Sequence, residues 1–120
     1  MFTYHDAYNR FLSHFPVDVG ERLKAGAKHK RMSVFDDWVY YYRIPLGEVV
    51  PSGSRSTADC VDIRACDERV GHIVVRVFRY GTSDIEHHHA DTPEMLDSLL
   101  ALYFAPDGVR ECKKRRILIQ

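Results

Sequence analysis

Two runs of alternating residues, CVDIRAC (60–66) and HIVVRVF (72–78), flank the turn segment DERVG and constrain the fold more than any other feature. Pairing Cys66 with His72 sets Val61 against Val77, Ile63 against Val75 and Ala65 against Ile73, so one face of the predicted hairpin is wholly apolar. The other face carries Cys60, Asp62, Arg64 and Cys66 against Phe78, Arg76, Val74 and His72. A slip of one residue would mix the two faces, so the parity is strongly specified. Asp62 opposite Arg76 adds a favourable cross-strand charge pair.

The elements around this hairpin follow from periodicity and caps. Tyr4, Ala7, Tyr8, Phe11, Leu12 and Phe15 recur at helical spacing and predict a first helix, capped by Thr3, with Asp6 in its first turn and Pro16 at its end. A second helix is expected from Asp18, which has capping-box spacing to Glu21, through Leu23 and Ala27 to about Lys30; Gly20 and Gly26 weaken it. DWVYYYRI reads as a strand, closed by Pro45. The stretch PLGEVVPSGSRSTA is loop-like, broken at most by a short strand at Glu48–Val50.

After YGTSD, the histidine stretch extends the meander by a strand. A strong helix follows, with Asp91 and Glu94 as its capping box, Pro93 in its first turn, and Met95, Leu96, Leu99, Leu100 and Tyr103 as its apolar stripe. RRILIQ is expected as a terminal strand. The expectation is one α+β domain over 1–120: a mainly antiparallel sheet of about four to five strands with helices packed on one face, in the order ααβ(ββ)βαβ.

Lys+Arg and Asp+Glu each total 17, so the formal net charge is zero and draws the chain to neither nucleic acid nor membrane. The charges are nonetheless segregated. They are all basic from Arg22 to Arg31, all acidic from Asp84 to Asp97, and basic again in RECKKRR. Three cysteines, Cys60, Cys66 and Cys112, without a CxxC pair, fit reduced thiols and a cytoplasmic location. The N-terminus lacks a signal-peptide pattern, and no apolar run approaches a membrane span, so no membrane partner is expected.

Three adjacent histidines, His87, His88 and His89, raise the question of a metal. In a strand, His87 and His89 share one side with Ile85; if Ile85 faces the core, both rings need a partner there. A divalent metal such as zinc would need a third ligand, for which His72, Cys66, Asp84 and His5 are candidates, and His72 sits across the sheet face. A metal-binding or metal-dependent hydrolytic protein using His87 and His89 is therefore one alternative reading. Cys66 beside His72 could form a thiolate–imidazole pair, but nothing orients it and no oxyanion donors are apparent. No glycine-rich phosphate loop is present.

Arg64, Arg76, Phe78 and Tyr80 share the hairpin's polar face, a combination that could stack bases and hold phosphates; Asp62 and the neutral total oppose a nucleic-acid-binding domain, which stands as a second alternative. Tyr41 and Arg43, with Val39, form the second face of the aromatic strand and are typical interface anchors if exposed. The preferred expectation is a small cytoplasmic binding protein without catalytic apparatus, of inhibitor, immunity or adaptor type. It would act through Tyr41, Arg43, Arg64, Arg76, Phe78 and Tyr80, with a protein partner or its own copy as a homodimer.

Overall fold

The computed structural model describes residues 1–35, 37–51, 58–65, 72–81 and 85–106. Helices α1 (Tyr4–Ser13) and α2 (Val17–Gly26) lead into strands β1 (Lys28–Val34), β2 (Asp37–Pro45), β3 (Cys60–Ala65), β4 (Ile73–Phe78) and β5 (Ile85–His89), and α3 (Pro93–Tyr103) closes the described chain. The five strands form one antiparallel sheet in chain order, β1-β2-β3-β4-β5. The fold is α+β. The β3–β4 register is the one expected from parity: Val61 faces Val77, Ile63 faces Val75 and Asp62 faces Arg76.

Parity decides which side of the sheet holds the core. Ile44, Val61, Ile63, Ile73, Val75 and Val77 point to one side, and all six are at most 2% exposed. They form one apolar cluster with Ala7, Phe11 and Phe15 around α1, Val19 and Leu23 of α2, and Leu96, Leu99, Leu100 and Tyr103 of α3. Apolar area removed from water stabilises by roughly 25 cal/mol per Å², so this cluster is the main favourable term in folding. Inside α2, Gly20 costs helix propensity, yet a Cβ there would lie 2.7 Å from the Leu12 carbonyl oxygen. Only glycine allows α1 and α2 to approach this closely.

The caps explain where the helices begin. Thr3 and Asp6 form a reciprocal capping box: the Asp6 amide donates to Thr3 Oγ1 at 3.1 Å and the Thr3 amide donates to Asp6 Oδ2 at 2.9 Å. Hydrogen bonding from Thr3, first its backbone amide and then its side chain, holds the Asp6 carboxyl below its ordinary pKa. For α3 the cap is Thr92, whose Oγ1 accepts from the Met95 amide, rather than Asp91. Asp91 is drawn away because its Oδ1 accepts from the Ile73 amide at 3.0 Å, tying the helix entrance to the start of β4. Likewise α2 begins at Val17, after Pro16, with no side-chain cap; Asp18 lies in its first turn and makes no capping box.

Two expectations along the chain need correction. The second helix stops at Gly26 instead of continuing to about Lys30, and residues 28–34 form a strand. Ala27 is already extended, and the strand finds a pairing partner in β2 that helical propensity could not anticipate. Glu48–Val50 is not a strand; Pro51 makes an isolated bridge to Phe104 instead. RRILIQ, the DERVG turn, Cys66, Asp84 and Cys112 lie outside the described residues.

Candidate functional site

Antiparallel register turns the side of the sheet opposite the core cluster into rows of side chains. One row runs Lys28, Arg43, Asp62, Arg76, His87 from β1 to β5. The next runs Lys30, Tyr41, Arg64, Val74, His89. A third joins Pro45, Cys60, Phe78 and Ile85. The two faces expected from the sequence, one around Tyr41 and Arg43 and one around Arg64, Arg76 and Phe78, are thus one continuous surface.

Asp62 organises that surface. It is 1% exposed and the only carboxylate in the two cationic rows. Arg43 grips it with both arms, Nε donating to Oδ1 at 2.9 Å and Nη2 donating to Oδ2 at 2.8 Å. Bidentate geometry of this kind is among the stronger charge-assisted bonds, and it holds the Arg43 guanidinium above its already high pKa. Arg76, the partner expected from the hairpin alone, stands further off, with Nη1 3.8 Å from Asp62 Oδ2. Its Nε is buried without a hydrogen-bond partner among the described residues, and burial, followed by repulsion from Arg64, lowers its pKa.

The rings lie beneath these cations. Tyr41 is 7% exposed and Phe78 is 8% exposed, and the Arg43 guanidinium sits 5.2 Å from the centroid of each. The expectation that Tyr41 is an exposed anchor is therefore corrected: arginine stacks on aromatic faces, and the ring supports the guanidinium instead of meeting solvent. Tyr80 is exposed, and its hydroxyl donates to the buried Cys60 Sγ at 3.4 Å. That bond, with burial, pushes the Tyr80 hydroxyl up to about 12, while burial raises the Cys60 thiol. A buried, protonated thiol under a tyrosine is a poor nucleophile.

Sequence reasoning missed two of the five lysines and arginines in these rows. Lys28 and Lys30 arrive on β1, and both are exposed with no salt bridge among the described residues. The usable signal was the absence of an apolar stripe in KHKRMSV, which suits an edge strand better than a packed helix. Trp38 and Tyr40, on the same side of β2 as Tyr42 and Ile44, are 54% and 44% exposed, and they pair with β1 alone among the described residues.

The histidines separate by parity. Ile85, His87 and His89 share the cationic side, so Ile85 does not face the core and the two rings are exposed. His88 points the other way: Tyr103 Oη donates to Glu86 Oε2 at 2.6 Å, so the His88 Nε2–H, 2.8 Å away, donates to the tyrosine oxygen. His72 lies beside Asp91, its Nδ1 3.4 Å from Oδ2. No group of three His, Cys, Asp or Glu side chains is placed to hold a metal among the described residues.

His87 is held below its ordinary pKa, first by partial burial and then by Arg76, Arg64, His88 and His89. A depressed histidine pKa means that the folded state binds fewer protons than the unfolded chain. The associated stability is complete above the unfolded value of about 6.5 and is lost as pH falls from there through the lower folded value. The urea midpoint is expected to drop between about pH 7 and pH 5, and His87→Gln is expected to flatten part of that drop. An unchanged profile in the variant would remove His87 from the cationic cluster.

No protein-family model, curated protein or solved structure matches the chain.

Proposed function

We propose that the chain is a non-enzymatic binding protein whose cationic sheet face docks an acidic protein surface. One observation carries the reading. A chain of zero formal charge gathers Lys28, Lys30, Arg43, Arg64 and Arg76, with His87 and His89, in two neighbouring rows on one side of its sheet, and Asp62 is the one carboxylate in those two rows. Asp62 is already held by Arg43, and Arg64 makes no salt bridge among the described residues. The side chains left for a partner are cations, and complementary charge on that partner gives orientation and association rate.

The ring burial favours protein over nucleic acid. Sheets that read single strands stack bases on open aromatic faces, whereas Tyr41 and Phe78 lie under Arg43. A twofold homodimer through this face would oppose like charges, which disfavours self-association there. An inhibitor, immunity or adaptor role fits such a surface. No helix of the described residues is long and apolar enough to cross a membrane.

Fluorescence anisotropy with a labelled oligoglutamate peptide and a labelled single-stranded oligonucleotide tests the reading. The peptide is expected to bind more tightly, to weaken with added salt, and to lose at least about tenfold in affinity on Arg64→Glu with unchanged circular dichroism. Indifference of peptide binding to Arg64→Glu, or a clear preference for the oligonucleotide, overturns it.

A further inference from the structure

Strand β1 is the place where the cationic face reaches an edge of the sheet formed by the described strands. Its seven residues pair with β2 on one side and with no strand on the other among the described residues. An unpaired edge presents a row of backbone N–H and C=O groups that can template another strand. Proteins commonly blunt such edges with lysine, and β1 begins Lys28, His29, Lys30, Arg31.

The two sides of β1 differ. Toward the helices, the basic groups already have partners: His29 Nε2 is 2.9 Å from the Tyr4 hydroxyl, and the Arg31 guanidinium lies 4.4 Å from the Trp38 ring centroid. On the cationic side, Lys28 and Lys30 are exposed and without a salt bridge among the described residues. They open the two rows that continue through Arg43 and Arg64. A second copy of β1 laid antiparallel along this edge would bring lysines and arginines together and repel. A strand carrying carboxylates at alternate positions would meet the same lysines favourably.

We infer that β1 takes up an extended acidic segment of the partner as a sixth strand, with every second side chain a carboxylate beside Lys28 and Lys30. Backbone bonds give such strand addition its affinity, and alternate side chains give it specificity. The inference rests on the acidic-partner reading and adds where, and in what backbone conformation, the partner binds.

In an added edge strand, alternate residues direct their N–H toward β1 and the rest direct it outward. The probe is an alternating Glu–Val peptide of β1's own length, prepared unmodified and with N-methyl groups on either alternate set of residues. One methylated form is expected to bind at least about tenfold more weakly than the unmodified peptide, and the other to bind like it. Hydrogen exchange of the amides in 28–34 is expected to slow only when a binding form is present. If both methylated forms bind like the parent, or if protection appears at 85–89 instead, the sixth-strand inference is overturned while the acidic-partner reading stands. If the unmodified peptide fails to bind while oligoglutamate still binds, the sixth-strand inference falls alone; if neither binds, both fall.

Discussion

Asp62→Asn is expected to destabilise the folded chain by about 3 kcal/mol, read as a lower urea midpoint with an unchanged slope. The substitution keeps the side chain's shape and removes its charge. Arg43 then keeps one acceptor in place of a bidentate carboxylate, and the new amide directs donors at guanidinium groups. Arg76, whose Nε has no partner among the described residues, loses the counter-charge 3.8 Å from its Nη1. Breaking one member of a buried pair costs more than replacing both, because it strands a charge away from water. Arg43 retains partial exposure, which places the expectation at the low end for such changes. The double variant Asp62→Leu/Arg43→Met is expected to cost less than Asp62→Asn alone. A neutral Asp62→Asn would mean that Asp62 does not organise the cationic face.

Phe11→Ala is expected to cost about 4 kcal/mol, the largest single effect in the helical layer. Phe11 has no solvent exposure and meets Phe15 and Phe104 edge-on, with centroids 5.3 and 5.7 Å away. It therefore joins α1 to the chain leaving α3, where His14 Nε2 also lies 3.0 Å from the Phe104 carbonyl oxygen. Truncation removes the transfer energy of the ring and leaves a cavity that two anchored helices cannot close. The measurement is urea unfolding followed by near-ultraviolet circular dichroism. A loss below about 1 kcal/mol would show that this aromatic junction rearranges freely. By contrast, the exposed Arg10–Asp97 pair, although short at 2.6 Å, is a surface bridge of small expected effect.

Much of the architecture was legible because local patterns and the final fold agree. The parity of 60–65 and 73–78, the Thr3 cap and the apolar stripes of the first and last helices each follow from residue spacing alone. The strand at 28–34 was not legible, because a polar edge strand has little apolar alternation and its stability comes from pairing with β2. The same omission hid Lys28 and Lys30, so the candidate face looked smaller and less basic than it is. Tyr41 was read as exposed because alternation tells which side a ring takes and not what lies over it; Arg43 lies over it.

By itself the sequence determined the α+β class, the apolar side of the central hairpin and the start of the first helix, since these depend on neighbours within a few residues or on strict twofold alternation. Only the tertiary structure decided that Arg43, rather than Arg76, grips Asp62 and that Lys28, Arg64 and His87 share one side of the sheet. Those facts depend on how strands distant in the chain align, and a one-residue change of register sends every side chain of a strand to the opposite face.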